Sequence, residues 1–251
     1  VEEIFEKQKD LIGKSKINYP RMGFWIEKWF EETTKILFKK DKPKIEIEFL
    51  ENEKIFHQKK RIKVGIHGIE GSFSHESFLR FCEEQKINLS KIELKFLVSA
   101  KGVISALREK SIDRGVVAIY NSGSGMYYPT LKFLAREKIK VFGVYSMDIN
   151  QCLLCHPSST LRDIKKIFAH PQALKQCRKT LEAKFPQMKL IFGSDENDTA
   201  LCARRIAEGF LERDTATLAS KTAGEIYNLK VLDQNMQHDP FNKTTFLLLG
   251  F

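Results

Sequence analysis

After residue 61 the sequence alternates between short β-branched runs and amphipathic runs, and this alternation constrains the fold more than any other feature. Ile62 to His67 is a β-branched run, and Gly68 to Ser72 is a turn of small residues. Ser74 then offers a helix N-cap for His75 to Glu84. Runs of both kinds recur to the end of the chain. They predict an α/β fold with a mostly parallel sheet.

The remaining predicted elements follow the same pattern. The predicted strands are 92–98, 116–120, 189–192, 217–219, 230–233 and 246–251, and the predicted helices are 101–110, 172–184, 199–211 and 222–228. The apolar run from Phe142 to Cys155 is predicted to be extended throughout.

Two turns of small residues, Gly68 to Ser72 and Asn121 to Gly125, follow predicted strands. Free N–H groups and the positive end of a helix dipole favour a carboxylate or phosphate at such a turn. Gly and Ser also occur in turns for backbone geometry alone. Each turn is therefore a candidate anion site. The three glycines at 65, 68 and 71 miss the register of a dinucleotide-binding fingerprint, so no nucleotide cofactor is expected.

The charge balance favours a small anionic partner. The net charge is +10; residues 1–60 contain 14 Lys or Arg and 12 Asp or Glu, a balance of +2, which leaves +8 for the other 191 residues. The lysines are dispersed, so nucleic acid is not expected as a partner. No apolar run reaches the length of about 18 residues that a membrane span needs. Residues 1–60 show no secretory signal pattern, so a cytoplasmic location is expected.

The five cysteines are an odd number, which argues against a disulfide framework. The run from Cys152 to His156 spells a c-type haem attachment motif, C-L-L-C-H. Its two leucines lie in an apolar stretch and favour a buried strand instead. No second ligand pair at zinc-site spacing is present. Neither a metal nor another cofactor is expected.

Five short segments together carry a family resemblance. They are GSFSHE at 71–76, GVVAIYNS at 115–122, AHPQAL at 169–174 followed by QCR at 176–178, DTA at 198–200, and NKTTF at 242–246. In this order they resemble the G-T-F-S, G-V-V-P-I-E-N-S, S-H-P-Q-A-L-x-Q-C, D-T-A and N-x-T-R-F motifs of prephenate dehydratases. The chain is identified as a member of that family over residues 62–251.

The resemblance implies a two-lobed α/β fold like that of type II periplasmic binding proteins, with the active site between the lobes. Residues 61–251 would form this domain. Lobe one would comprise about 61–122 plus 222–251, and lobe two about 123–221. Residues 1–60 would be an added helical and strand segment.

The resemblance also implies a set of site residues. The hydroxyl of Thr244 is implied as the catalytic group that meets the departing ring hydroxyl of prephenate. The implied substrate-binding residues are Ser72, Phe73, Ser74, Asn121, Ser122, Gln172, Ala173, Thr199, Thr245 and Phe246. His170 opens a predicted helix and is expected to be a capping residue.

The sequence departs from the family motifs at four positions. Thr245 stands in place of Arg, which would remove a cation beside the implied acid, and Tyr120 stands in place of Glu. Ser72 replaces Thr and keeps a hydroxyl, and Ala169 replaces Ser. The regulatory ACT domain that follows the catalytic domain in many family members is not expected here.

Three functions fit these residues. The first is a lyase, prephenate dehydratase, which forms phenylpyruvate with loss of water and carbon dioxide for phenylalanine biosynthesis. The second is a non-aromatising prephenate decarboxylase of a natural-product pathway. The third is a ligand-binding module or pseudoenzyme, which the loss of the Arg at position 245 keeps open.

Residues 1–60 are expected to contribute to assembly. Trp25, Trp29 and Phe30 recur at helical spacing within residues 22–40, and Lys44 to Leu50 alternates like a strand. A helix with this much aromatic surface must bury it. Two surfaces could bury it: lobe one of the same chain, or a partner subunit. Because the family motifs all lie after residue 62, we expect the helix to pack on the partner subunit of a homodimer or higher homo-oligomer.

Deleting residues 1–60 should therefore weaken the dimer and leave the dehydratase-like domain folded. Sedimentation velocity over a concentration series would measure the change in dimer dissociation. A truncated chain that stays dimeric would exclude this role for the segment.

Overall fold

The computed structural model describes residues 61–134, 139–193 and 198–251 of the chain. The helix and strand predicted within residues 1–60 lie outside this part. The described residues form eleven strands and six helices in two mixed sheets. None of the described helices is long and apolar enough to span a bilayer.

The first sheet contains six strands and packs against three helices. Its strands are β1 (Ile62–His67), β2 (Ile92–Leu97), β3 (Arg114–Asn121), β4 (Gly125–Met126), β5 (Lys140–Asp148) and, from the end of the chain, β11 (Lys243–Gly250). Its helices are α1 (Phe73–Glu84), α2 (Ala100–Arg108) and α3 (Tyr128–Leu134). The strand order is β2-β1-β3-β11-β5, and β4 pairs with β3.

The second sheet contains five strands. They are β6 (Cys152–Cys155), β7 (Lys166–Ala169), β8 (Lys189–Phe192), β9 (Thr215–Ala219) and β10 (Lys230–Asp233), in the order β10-β6-β9-β7-β8. Its helices are α4 (Pro171–Lys184), α5 (Thr199–Ala207) and α6 (Lys221–Ile226). Short 3₁₀ turns occur at Leu89–Lys91 and Leu161–Asp163.

The chain crosses between the sheets twice, once from β5 to β6 and once from β10 to β11. In each sheet the strand that arrives from the other sheet runs antiparallel to both of its neighbours: β11 lies between β3 and β5, and β6 lies between β9 and β10. The prediction of a mostly parallel sheet is therefore wrong. It considered only strands that are joined through a helix, and such strands pair in parallel, whereas the strands that cross between the sheets pair antiparallel.

The predicted lobe bounds differ from this sheet membership. Strand β5 belongs to the first sheet although it lies within the predicted lobe two, 123–221. Strand β10 belongs to the second sheet although it lies within the predicted lobe one, 222–251. The first crossing lies at residues 149–151 and the second at residues 234–242. The predicted extended run 142–155 therefore contains two strands that belong to different sheets.

The core lies on both faces of the first sheet, and β11 contributes to both. Phe246 and Leu248 pack under α1, while Leu247 and Leu249 pack under α2 and α3, because successive side chains of a strand point to opposite faces. All four are at most 1% exposed. Burial of each such side chain stabilises the fold by about 2 kcal/mol. Strand β11 is therefore anchored in the core up to its first residues, where Thr244 lies.

The structure corrects several local predictions. Helix α1 begins at Phe73 and its N-cap is Ser72, whose Oγ accepts the His75 N–H at 3.3 Å; Ser74 lies inside the helix. Strand β7 and helix α3 were not predicted. The prediction that Cys152 to Cys155 is a buried strand is confirmed.

His67 makes the stability of this fold depend on pH. Its Nδ1 is buried at the end of β1 and has no hydrogen-bond partner among the described residues, and burial lowers the pKa of His67 to about 4. In the unfolded chain the His67 imidazole takes up a proton near pH 6.5, whereas in the folded chain it stays neutral down to about pH 4. The free energy of unfolding should therefore fall by about 2 kcal/mol between pH 7 and pH 4.5 on account of His67.

Urea unfolding at a series of pH values would measure this loss. His67→Gln should remove about that much of the pH dependence, whereas the matched control His238→Gln, at an exposed histidine, should leave it unchanged. Equal pH profiles for wild type and His67→Gln would contradict the assignment.

Candidate active site

The turn after β1 brings the two sheets into contact. Gly68 has φ of 112°, a conformation that favours glycine. A Cβ at Gly68 would lie 2.6 Å from Oδ2 of Asp198 and 2.8 Å from Oγ of Ser72. The N-terminus of α1 and the N-terminus of α5 are therefore only a few ångströms apart.

Asp198 hydrogen-bonds to backbone in both parts of the structure. Its Oδ1 accepts the N–H groups of Ala200 and Leu201 at 2.5 and 3.3 Å, and its Oδ2 accepts the Ile69 N–H at 2.8 Å. Burial raises the pKa of Asp198, and these N–H groups, together with His170, oppose the increase. The carboxylate thus caps α5 and fixes the turn after β1.

Helix α6 holds the same turn from its other side. The Ser220 hydroxyl donates to the Gly71 carbonyl at 2.7 Å, and the Tyr227 hydroxyl donates to the Glu70 carbonyl at 2.8 Å. A Cβ at Gly71 would lie 2.9 Å from Cα of Ala223. The close approach of the two backbones therefore requires glycine at this position.

Asn121, at the end of β3, is the central polar residue of the site and is fully buried. Its Oδ1 accepts the N–H groups of Gly123 and Ser124 at 3.0 Å each. Its Nδ2 donates to Oδ1 of Asn242 at 2.6 Å and to Oγ1 of Thr244 at 3.0 Å. One side chain therefore fixes the turn after β3 and the first residues of β11.

Gln176 connects Asn121 to the second sheet. Its Nε2 donates to Oδ1 of Asn121 at 3.3 Å, and its Oε1 accepts from Nε2 of Gln151 at 3.4 Å. Gln176 belongs to α4, and Gln151 lies in the crossing from β5 to β6. A continuous chain of side-chain hydrogen bonds therefore runs from that crossing to Thr244.

Thr244 is 4% exposed and pairs with Asn121 and Met147 in the sheet. Its side chain is also hydrogen-bonded to Tyr127, and this bond partly offsets the increase that burial causes in the pKa of Tyr127. The Thr244 hydroxyl is thus oriented by the Asn121 amide.

The next two residues of β11 do not join Thr244. Thr245 points to the opposite face of the sheet, where its hydroxyl is hydrogen-bonded to Ser146 at 2.9 Å. Phe246 is 1% exposed and stacks on Tyr145 with ring centroids 5.9 Å apart. In this structure position 245 is therefore not beside the Thr244 hydroxyl.

Helix α4 presents an unsatisfied donor to the site. Nε2 of Gln172 is buried without a hydrogen-bond partner among the described residues. Gln172 is four residues before Gln176, so both side chains lie on the same face of α4, the face that contacts Asn121. A buried donor without a partner is costly, and a substrate oxygen would satisfy it.

Helices α1, α4 and α5 begin around this region, and each N-terminus carries partial positive charge. Their caps are Ser72, His170 and Asp198. His170 accepts the Gln172 N–H through Nδ1 at 3.0 Å, so the prediction that His170 caps a helix is confirmed. The caps of α1 and α5 meet at the turn after β1, and helix N-termini suit a carboxylate ligand.

The other predicted site residues pack in the core or hydrogen-bond to the backbone. Phe73 packs on the apolar cluster under α1, Ser74 is buried, and Ala173 is a core residue of the second sheet. The Ser122 hydroxyl donates to the Phe241 carbonyl and accepts the Lys243 N–H, each at 2.9 Å. Thr199 is the first residue of α5, next to Asp198.

Three site residues were missed from the sequence. Gln176 and Asp198 stand in the motifs that carry the family resemblance, but only the contacts show their connecting roles. Tyr127 had no signal beyond its place just after the second small-residue turn. No group of His, Cys, Asp and Glu in the described part of the chain is arranged to hold a metal ion.

The fold and the site are those of a two-lobed α/β protein with a polar, anion-suited site between its sheets. The profile of the prephenate dehydratase family matches residues 64–251, and the chain belongs to that family. The expected family is confirmed by this match.

Known relatives agree with this assignment. Arogenate dehydratase 2 of Petunia hybrida is 31% identical over 190 residues, covering 76% of this chain and 45% of that protein. A bifunctional chorismate mutase/prephenate dehydratase of Buchnera aphidicola is 30% identical over 183 residues, covering 73% of this chain and 46% of that protein. The chain spans less than half the length of these two relatives.

The fold is also found in a solved family structure. Prephenate dehydratase from Arthrobacter aurescens, in complex with L-Phe, superposes with a TM-score of 0.65 at 21% identity, covering 75% of this chain and 60% of that chain. The two-lobed fold expected from the sequence is confirmed.

Asn121→Ala should lower the free energy of unfolding by about 2–4 kcal/mol, because it removes the amide that pairs with the buried side chains of Asn242 and Thr244. Urea denaturation followed by circular dichroism would measure the loss. Asn88→Ala is the matched control: Asn88 is exposed and caps a short turn, so its loss should be about 1 kcal/mol or less. Equal, small losses in both variants would contradict the central role of Asn121.

Proposed function

We propose that this protein is a dehydratase that converts prephenate into phenylpyruvate with loss of water and carbon dioxide. The observation that carries the proposal is the Thr244 hydroxyl, which is buried and accepts a hydrogen bond from Nδ2 of Asn121 at 3.0 Å. A group that delivers a proton to a leaving hydroxyl must be oriented in this way.

The surroundings of Thr244 suit the charge of prephenate. Prephenate carries two carboxylates, and the N-termini of α1, α4 and α5 offer N–H groups and partial positive charge for them. The Gln172 amide adds a buried donor. Between these groups and Thr244, the substrate would lie with its ring hydroxyl toward β11.

The reaction needs one proton and releases two small molecules. The ring C–O bond breaks as the oxygen takes a proton from Thr244 and leaves as water. The bond from the ring to its carboxylate breaks at the same time, its electron pair completes the aromatic ring, and carbon dioxide leaves. Donors on Oγ1 stabilise the negative charge that develops on Thr244.

A product assay with prephenate and with arogenate distinguishes a dehydratase from a non-aromatising decarboxylase and from a binding protein. The relatives named above include arogenate dehydratases, so both prephenate and arogenate should be supplied. Phenylpyruvate or phenylalanine is an aromatic product, whereas a non-aromatising decarboxylase yields none. Saturable binding without turnover would identify a binding protein. A homodimeric state and a cytoplasmic location stay predictions from the sequence.

Thr244→Ala should lower kcat for phenylpyruvate formation by about a hundredfold or more and leave the KM for prephenate within about threefold, because it removes an interaction made in the transition state. Thr244→Ser, which keeps the hydroxyl, should recover part of the rate. Steady-state kinetics followed by phenylpyruvate absorbance would measure both. Wild-type turnover in Thr244→Ala would remove this residue from the mechanism.

A further inference from the structure

Gln151 lies in the crossing from β5 to β6 and is only 2% exposed. Its N–H donates to Oε1 of Gln237 at 2.9 Å, and its carbonyl accepts the Met236 N–H at 2.9 Å. Its Nε2 donates to Gln176, but its Oε1 is buried without a hydrogen-bond partner among the described residues. A buried acceptor without a partner is costly, so a ligand that donates a hydrogen bond would stabilise it.

The hydrogen bonds of Asn121 decide which end of the Gln151 amide is left over. Oδ1 of Asn121 accepts the N–H groups of residues 123 and 124, which can only donate, so this amide cannot be reversed. Gln176 must then present its Nε2 to Asn121 and its Oε1 to Gln151. Gln151 in turn must donate through its Nε2. The atom at the end of the chain of amides is therefore an acceptor oxygen.

A second unsatisfied atom of this region is a donor. Nε2 of Gln172 is buried without a partner in the described part of the chain. Gln172 and Gln176 are one turn apart on the face of α4 that contacts Asn121, and Gln176 is bonded to Gln151. The region therefore offers one acceptor and one donor to a ligand.

These two atoms match the two polar groups of an α-amino acid. An ammonium group only donates hydrogen bonds, as Oε1 of Gln151 requires, and a carboxylate only accepts them, as Nε2 of Gln172 requires. The side arm of prephenate carries a keto oxygen and a carboxylate, which are both acceptors. Arogenate carries an ammonium group in place of the keto oxygen.

We propose that Gln151 is a specificity-determining residue: its Oε1 accepts a hydrogen bond from the α-ammonium group of arogenate, so the site takes both substrates and favours arogenate. This role rests on the proposed dehydratase function, in which the ring hydroxyl of either substrate meets Thr244. Two amides separate Thr244 from Gln151 in the hydrogen-bond chain. The side arm, at the opposite end of the substrate from its ring hydroxyl, is the part that reaches Gln151.

The test compares kcat/KM for arogenate and for prephenate in wild type and in Gln151→Leu, which keeps similar bulk and removes the acceptor. We expect kcat/KM for arogenate to fall about tenfold relative to that for prephenate, because a hydrogen bond to a charged group is lost with one substrate only. A purely structural effect of the substitution would lower both values alike and leave their ratio unchanged.

The matched control is Gln237→Leu. Gln237 bonds to the Gln151 N–H and to Asn150 in the same crossing, outside the chain of amides that leads to Asn121. This variant should keep the arogenate-to-prephenate ratio within about twofold of wild type. An equal loss for both substrates in Gln151→Leu would show that Oε1 meets a water molecule or the ring hydroxyl, and would overturn the proposal.

Calorimetric titration of Thr244→Ala with each substrate, with and without Gln151→Leu, separates recognition from turnover. Binding of arogenate about tenfold tighter than that of prephenate, lost in Gln151→Leu, supports the proposal. Equal affinities for the two substrates contradict it, whatever the turnover of the wild type. A wild type that turns over neither substrate but binds arogenate through Gln151 overturns the proposed function and supports this recognition.

Discussion

The site depends on one buried amide. Asn121 is fully buried at the end of β3, and an unpaired amide there would be costly, so the chain must supply its partners. The turn at residues 123–124 supplies N–H donors, β11 supplies the Thr244 hydroxyl, and α4 supplies Gln176. These partners come from both sheets. Satisfying Asn121 therefore fixes where the sheets meet and how the Thr244 hydroxyl is oriented.

The same strand that orients the candidate catalytic hydroxyl also completes the core. Strand β11 arrives from the second sheet and inserts between β3 and β5, so it is hydrogen-bonded on both edges. Its apolar residues fill both faces of the first sheet. Thr244 thus lies at the junction between a rigid core and the crossing from the other sheet.

Local patterns predicted much of the fold and the order of its elements. Strands such as 189–192 and 230–233 were predicted with the bounds that the structure has. Sheet membership was not predictable, because the run 142–155 has no local signal for the point at which the chain leaves one sheet. The family motifs pointed to Asn121, Gln172 and Thr244, which the structure places around one region. Thr245 lies on the face of β11 opposite Thr244, because strand alternation sends neighbouring side chains to opposite faces.

A crystal structure of the Thr244→Ala variant with prephenate bound would test the central claim most directly. The account predicts prephenate between the two sheets, with its carboxylates at the N-termini of α1, α4 or α5 and its ring hydroxyl within about 4 Å of the Cβ at position 244. Prephenate bound elsewhere, or bound between the sheets with its ring hydroxyl turned away from β11, would contradict it.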